Sequence, residues 1–232
     1  RALVFLRVSL GKTGGAGAVA ALAAEGIGAR PVPLAATALD VVENARKVQT
    51  SDAYLSGLVE LQDASSQAVV EVLPLADGMK VLDHCAGGGG KTLAMAARGD
   101  LRLFAHDAAP KRMTDLPERA KRAGVKVTLT DRPEAMAPYD LILVDAPCSG
   151  SGSWRRDPEG KWKITAQSLD ALVETQKTIL DRTAAMVRPG GVLAYATCSL
   201  LERENGRQIQ HFLDRHTDWT LDREVRLTPL QG

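Results

Sequence analysis

The sequence predicts an α/β fold in which a doubly wound, mostly parallel sheet follows a small α+β module. Three observations indicate this class. Apolar, strand-like runs alternate with helix-like stretches from Met79 onward, a glycine-rich loop follows the first run, and two later runs end in cysteines. Because the carboxyl ends of parallel strands meet at one edge of such a sheet, we expect the glycine loop and both cysteines to line one cleft.

The chain divides into two predicted domains joined by a connecting segment. Residues 1–52 read as a small α+β subdomain, with a strand at 2–8 and a helix over about 16–25. Residues 53–74 carry apolar side chains at roughly helical spacing and are predicted to be a connecting helical segment. The main domain is predicted over 75–232.

The main domain is predicted to alternate strands with helices. We expect strands at 80–84, 102–106, 125–129, 139–145 and 191–197, and helices near 91–98, 111–123, 166–187 and 202–215. A polar connection over 149–165 is longer than most loops, and loops of that length are usually functional or disordered.

Composition excludes several classes of protein. The 232 residues are 45% hydrophobic and 25% charged, which is ordinary for a globular protein, and the net charge of +1 neither requires nor excludes nucleic acid. The three cysteines lack the paired spacing of a disulfide framework or a zinc site, so we expect free thiols in a reducing compartment, the cytoplasm. We find no signal peptide and no apolar run of about 18 residues, the length of a membrane span.

The glycine-rich loop Gly87–Gly90 has three readings. A phosphate-binding Walker loop ending in Gly90-Lys91-Thr92 would need a glycine where Cys85 stands. A nicotinamide-binding loop matches Gly87 and Gly89 but meets Thr92 at its last glycine position. The third reading is a tight turn between strand and helix that binds no ligand.

Acidic residues at later strand ends favour a nucleoside-bearing cofactor. Asp107, Asp131 and Asp145 follow or end the second, third and fourth strands of the main domain. The position of Asp107 suits a carboxylate that binds a ribose diol. S-adenosylmethionine matches this pattern, because its amino group is cationic and it carries no phosphate.

The cysteine motifs resemble those of a known family. Residues 145–152 (Asp-Ala-Pro-Cys-Ser-Gly-Ser-Gly), residues 196–200 (Ala-Thr-Cys-Ser-Leu) and the loop from Cys85 to Thr92 are similar to the Sun (Fmu-like) family of RNA cytosine-C5 methyltransferases. The resemblance covers nearly the whole chain and implies a class I, Rossmann-like methyltransferase domain behind an RNA-recognition-like subdomain. Two departures are a glycine, Gly88, where the family commonly has proline, and the absence of a final strand with a Gly-Phe-Phe-like run.

The resemblance implies a role for each motif residue. Cys198 would be the nucleophile that adds to carbon 6 of cytosine, and Cys148 would assist release of the methylated product. Asp145 would hydrogen-bond the ring near nitrogen 3, and Lys91 would hold Asp145 or the base in position. The residues expected to contact S-adenosylmethionine are Cys85, Ala86, Gly87, Gly88, Gly89, Gly90, Lys91, Asp107, Asp131 and Asp145.

The expected partner is RNA, with small-subunit ribosomal RNA as the first candidate. Arg155 and Arg156 lie on the long loop and are expected to meet phosphates, whereas Trp154 and Trp162 either stack on unpaired bases or fold back on the core. The alternatives are a transfer RNA methyltransferase, a non-catalytic RNA-binding module on the same fold, and an oxidoreductase that binds NAD. We expect a monomer without a metal ion or a membrane partner.

Overall fold

The chain folds into two sheets. The computed structural model describes residues 3–154 and 157–227. Within those residues, a four-stranded antiparallel sheet comes first and a five-stranded parallel sheet follows. The α/β class predicted from the sequence is confirmed.

The first sheet is built from residues 5–61. Its strands are β1 (Phe5–Val8), β2 (Ala29–Pro31), β3 (Ala38–Val41) and β4 (Val59–Leu61), and its helices are α1 (Gly15–Ala24) and α2 (Asp52–Leu55). The strands lie in the order β2-β3-β1-β4. Leu6 and Val8 of β1 pack with Leu22 of α1 in a core of their own.

The segment predicted to connect the two domains differs from the prediction. Residues 53–74 are not helical throughout, because β4 lies inside this span and pairs with β1 over Val59–Leu61. Val59 is fully buried and Leu61 packs against the same core. A short apolar run of this kind has no periodicity that separates a strand from a buried helix. The division at residues 52 and 74 stays a prediction.

The second sheet follows helix α3 (Ala64–Glu71). Its strands are β5 (Lys80–Asp83), β6 (Arg102–Ala105), β7 (Thr128–Leu129), β8 (Tyr139–Asp145) and β9 (Val187–Ala196). The remaining helices are α4 (Gly90–Ala96), α5 (Leu116–Ala123), α6 (Gly160–Lys163), α7 (Ala166–Ala184) and α8 (Gly206–Arg215).

The strand order β7-β6-β5-β8-β9 places a topological switch at β5. The chain runs from β5 outward through β6 and β7, and then returns to add β8 and β9 on the other side of β5. All four neighbouring pairs among these described strands are parallel. Open α/β sheets bind ligands outside the carboxyl ends of their strands at such a reversal, here between β5 and β8.

Helices cover both faces of the parallel sheet. Leu141 and Leu143 of β8 pack with Val70 of α3 and Met95 of α4. Ile142, the intervening residue, belongs to a separate core that includes a residue of α7. A strand that is apolar on both faces is the signature of a sheet buried between two layers, so the doubly wound architecture is confirmed.

Several predicted elements are shorter in the structure. The strand predicted at 125–129 is reduced to β7, and the helices predicted over 111–123 and 202–215 are each preceded by a 3-10 turn. The first of these turns begins at Pro110, and Pro117 lies in the first turn of α5. Proline suits the first turn of a helix because that position needs no amide hydrogen for an internal bond. The connection over 149–165 contains the short helix α6.

Candidate active site

The glycine loop between β5 and α4 lies at the topological switch. Gly87 and Gly89 adopt left-handed backbone conformations, with φ of 52° and 78°. A Cβ on Gly89 would lie 2.2 Å from a methyl carbon of Leu116. Glycine is therefore required at residue 89 both for its backbone and for the close approach of α5.

Asp107, predicted from the sequence, is held against this loop. Its Oδ2 accepts a hydrogen bond from the Gly87 amide at 2.9 Å, and its Oδ1 accepts one from the Ala109 amide at 2.9 Å. Arg112 pairs with the same carboxylate at 3.2 Å. Asp131 is exposed and follows β7, two strands away from β5.

A small cleft opens beside the loop, with a volume of about 110 Å³. Both charged groups and amides face it, so it presents hydrogen-bond donors and acceptors together. Its lining residues are Gln62, Ser66, Asp83, Cys85, Ala86, Gly90, Lys91 and Asp145. The structure thus places five of the ten predicted cofactor residues in the lining of this cleft and adds Gln62, Ser66 and Asp83, which are not predicted from the sequence.

Two of the added side chains have unused hydrogen-bonding atoms. Gln62 is 9% exposed, and neither atom of its amide has a hydrogen-bond partner among the described residues. Asp83 accepts a hydrogen bond from Thr92 on Oδ2 at 2.7 Å, while its Oδ1 has no such partner. Burial raises the pKa of Asp83 to about 6. Buried polar atoms without partners are costly, which makes these atoms candidates for ligand contacts.

Sequence signals existed for one of the missed residues. Asp83 ends β5 as Asp145 ends β8, so it belongs to the same pattern of acids at strand ends. Gln62 follows β4 and Ser66 lies in the first turn of α3, and they reach the cleft because α3 packs against α4. No pattern in the sequence indicates this packing.

Lys91 and Asp145 form a close ion pair at the mouth of the cleft. The Lys91 ammonium lies 2.6 Å from Oδ2 of Asp145 and 3.5 Å from the Ser66 hydroxyl. Lys91 is in the first turn of α4, and Asp145 is the last residue of β8. The side chain of Asp145 remains about one-third exposed, so a ligand can reach the pair.

The two motif cysteines meet at the ends of β8 and β9. Their sulfurs are 3.4 Å apart. Cys198 is exposed and Cys148 is half-buried. The hydrogen bond from Cys148 lowers the pKa of Cys198 to about 6, and the Lys91 charge acts in the same direction against burial and Asp145. The same hydrogen bond, together with burial, raises the pKa of Cys148 above its ordinary value.

The remaining cysteine has a different environment. Burial raises the pKa of Cys85 to about 12, and three nearby carboxylates (Asp83, Asp107 and Asp145) act in the same direction. A thiol of this kind is protonated near neutral pH and is a poor nucleophile. We therefore expect Cys85 to contribute its backbone to the cofactor contact and no thiol chemistry.

The predicted RNA-contacting loop is described only in part. Arg155 and Arg156 lie outside the described residues. The ring of Trp162 is 79% exposed, and the Lys161 ammonium lies 4.6 Å from its centre. Trp154 instead has its indole nitrogen buried without a partner among the described residues. The two tryptophans therefore differ, and Trp162 is the more exposed of the two.

Comparisons with known proteins agree on one family. The sequence profile described as 16S rRNA methyltransferase RsmB/F matches residues 70–230. A ribosomal RNA small subunit methyltransferase B from Xanthomonas campestris pv. campestris is 37% identical over 225 residues, covering 93% of this chain and 51% of the relative. The chain spans about half the length of the curated relatives it matches.

Solved structures give the same result. The crystal structure of PH0851 superposes with a TM-score of 0.86 at 29% identity, covering 93% of this chain and 51% of that one. A methyltransferase homologue from Pyrococcus horikoshii gives a TM-score of 0.80 at 30% identity, covering 92% of this chain and 70% of that one. Within the described residues, no helix combines the length and apolar character that a membrane crossing needs. The family predicted from the cysteine motifs is confirmed: the chain belongs to the RsmB/F family of 16S rRNA methyltransferases.

Proposed function

We propose that this chain transfers a methyl group from S-adenosylmethionine to carbon 5 of a cytosine in RNA, with small-subunit ribosomal RNA as the substrate. The observation that carries the proposal is the contact of two thiols, 3.4 Å apart, beside a lysine–aspartate pair at the switch point of the sheet. The names of the family and of the relatives support the substrate class.

The cleft has the chemistry that S-adenosylmethionine requires. The α-amino acid end of S-adenosylmethionine is a zwitterion. The cleft offers Lys91 and the Gln62 amide to its carboxylate, and Asp145 and Asp83 to its ammonium group. The loop from Cys85 to Lys91 supplies backbone contacts. The Asp107 carboxylate is proposed to bind the ribose, and Asp131 is proposed to contact the far end of the nucleoside. When bound, the cofactor supplies a methyl group on a positively charged sulfur.

Cys198 is the proposed nucleophile. Its thiolate adds to carbon 6 of cytosine, forming an S–C6 bond, and the displaced π electrons make carbon 5 nucleophilic. A pKa of about 6 keeps most Cys198 side chains ionised at neutral pH. Asp145, oriented by Lys91, hydrogen-bonds the ring near nitrogen 3, and the proton shared by these two side chains stabilises the negative charge that develops there.

Cys148 is proposed to assist product release. After methylation, carbon 5 carries both the new methyl group and its original hydrogen. Transfer of that hydrogen as a proton to Cys148, once Cys148 has lost its own proton to solvent, restores the C5–C6 double bond and breaks the S–C6 bond, which returns the Cys198 thiolate. Cys148 lies within van der Waals reach of the Cys198 sulfur and is therefore close to this carbon in the adduct.

The proposed substrate is an unpaired or flipped cytosine, because carbon 6 of a stacked base is not accessible to a side chain. Arg155 and Arg156 remain the proposed phosphate contacts, and Trp162 joins them as an exposed stacking surface. A chemistry that depends on free thiols suits a reducing compartment, so the proposed location is the cytoplasm. We propose a monomeric enzyme.

Trapping the covalent adduct tests the proposal. Wild type, Cys148→Ala, Cys198→Ala and the control Cys85→Ala are incubated with tritiated S-adenosylmethionine and small-subunit RNA, and protein–RNA species are separated on a denaturing gel. We expect a stable labelled complex with Cys148→Ala, none with Cys198→Ala, and turnover without trapping for wild type and Cys85→Ala.

Other outcomes would count against specific parts of the proposal. A complex that persists in Cys198→Ala and disappears in Cys148→Ala would exchange the roles of the two thiols. Labelling of transfer RNA in preference to small-subunit RNA would replace the substrate. Binding of the cofactor without label transfer to either RNA would favour a non-catalytic RNA-binding module.

A further inference from the structure

A buried carboxylate lies directly behind the two cysteines. Glu204 is the last residue of the 3-10 turn between β9 and α8, and its relative exposure is 0%. It forms no ion pair with any described residue. A buried charge without a cation is costly unless hydrogen bonds satisfy it, so the contacts of Glu204 indicate what holds it there.

Those contacts come from the residues that follow the two cysteines. Ser149 donates its backbone amide to Oε1 at 2.8 Å and its hydroxyl to Oε2 at 2.5 Å. Ser199 donates its hydroxyl to Oε2 at 2.5 Å. The carboxylate therefore binds the segment after Cys148 and the segment after Cys198 at the same time.

Helix α7 completes the arrangement. The Gln176 amide donates to Oε1 of Glu204 at 3.0 Å and to the carbonyl oxygen of Pro147 at 2.9 Å. Burial opposes ionisation of Glu204, but the hydrogen bonds from Ser149 and Ser199 outweigh it and lower the pKa of the carboxyl. The group is therefore an anion that accepts from four donors.

The neighbouring residue holds the other side of Cys198. Asn205 accepts a hydrogen bond from the Thr197 hydroxyl at 2.6 Å and donates to the Ser199 carbonyl at 2.9 Å. The residues on both sides of Cys198 are thus tied to the turn that carries Glu204. The residue on each side of Cys148 is likewise tied to Glu204 or to Gln176.

We propose that Glu204 is a positioning residue that holds the segments of Cys148 and Cys198 together, so that their sulfurs stay in contact. Its importance for methyl transfer rests on the proposed function, but its effect on the sulfur–sulfur distance does not. The two claims can therefore be tested separately.

Disulfide formation reports the distance between the thiols without any methyl transfer. Diamide oxidises the pair: one S–S bond forms, two S–H bonds are lost, and two electrons and two protons convert the N=N bond of diamide into two N–H groups. The loss of two free thiols is followed with a thiol reagent and by mass.

The variants are Glu204→Ala and Glu204→Gln, with Glu202→Ala as the matched control in the same turn. Glu202 is exposed and pairs with Arg226.

We expect Glu204→Ala to slow disulfide closure about tenfold, because it removes the acceptor for four donors. Glu204→Gln, which keeps one carbonyl oxygen and most of the volume, should slow closure about threefold, and Glu202→Ala should not change it. S-adenosylhomocysteine affinity should stay at the wild-type value in all three variants, whereas kcat should fall with closure rate and KM for RNA should change little.

Closure at the wild-type rate in a Glu204→Ala protein that binds S-adenosylhomocysteine normally would overturn the proposal. If Glu204→Ala does not fold, closure at the wild-type rate in Glu204→Gln overturns it instead. Slowed closure in an enzyme that labels no RNA would support the positioning role and reject the proposed function.

Discussion

Replacing Cys148 by alanine is expected to raise the pKa of Cys198. In the structure the two sulfurs lie 3.4 Å apart, and when Cys198 is ionised the Cys148 thiol is the donor of the hydrogen bond between them; this bond is the largest cause of the low pKa of Cys198. Alanine removes the donor and leaves burial and the Asp145 charge to oppose ionisation, with Lys91 as the favourable charge that remains. The pKa should therefore move from about 6 toward the ordinary thiol value.

The size of the effect follows from these two values. A thiol with a pKa of about 6 is roughly nine-tenths ionised at pH 7, whereas one near the ordinary value of about 8.5 is about 3% ionised. The thiolate population thus falls roughly thirtyfold. A more basic thiolate is also a better nucleophile, by about tenfold for a shift of this size, so the rate of alkylation changes only about threefold.

This compensation makes direct titration the better assay. Thiolate absorbance near 240 nm is recorded against pH in wild type and Cys148→Ala. Cys85 does not interfere, because burial places its pKa at about 12. Cys85→Ala is the control and should titrate as wild type does. A midpoint that stays near pH 6 in Cys148→Ala would refute the reasoning, since the low pKa would then not depend on the contact between the sulfurs.

Three further predictions concern the cleft and its loop. In calorimetry, Gln62→Ala should weaken S-adenosylhomocysteine binding about tenfold. It should not change the affinity for 5′-methylthioadenosine, which lacks the amino acid group. Equal losses of affinity for both ligands would reject a contact between Gln62 and that group. Lys91→Met should lower the single-turnover rate of methyl transfer by about 10- to 100-fold, because Asp145 loses its charged partner; an unchanged rate would remove the ion pair from the mechanism. Gly89→Ala should reduce the free energy of unfolding by about 2–4 kcal/mol in denaturant titration, because Gly89 has a φ of 78° and a Cβ there would overlap α5. Gly90→Ala is the control: its Cβ would make an ordinary contact, so the free energy of unfolding should change by less than about 1 kcal/mol.

The strand ends could be predicted from the sequence, and they include much of the site. Apolar runs such as 141–144 end at a charged residue or at a glycine-rich segment. Parallel strands bring those ends to one edge of the sheet. This pattern predicts Asp145, Cys148 and Cys198 as site residues, together with the glycine loop. Local composition determines these positions, because each depends on a strand and the residues that immediately follow it.

Residues that reach the site through packing could not be predicted. Gln62 follows a strand whose partner, β1, lies more than fifty residues earlier in the chain, and the helical spacing of its neighbours hides that strand. Glu204 stands in the run Leu-Glu-Arg-Glu-Asn, which reads as the exposed start of a helix. Charged residues are rarely buried, so only the fold reveals that Glu204 has no exposed surface whereas Glu202 remains at the surface.

The hydrogen bond between the Cys148 and Cys198 sulfurs explains how two adjacent thiols can perform different tasks under the proposed mechanism, one adding to carbon 6 and the other accepting the proton of carbon 5. The pKa of Cys148 is raised by its hydrogen bond to Cys198, by burial and by the charge on the Cys198 sulfur. When the Cys198 sulfur bonds to carbon 6 it becomes a neutral thioether, so the charge disappears and the hydrogen bond weakens, whereas burial remains. The pKa of Cys148 therefore falls, and the minor thiolate form that can accept the proton of carbon 5 is easier to reach in the adduct than in the free enzyme. Addition by the first thiol thus activates the second only after the adduct exists, and the 3.4 Å contact is what couples the two steps.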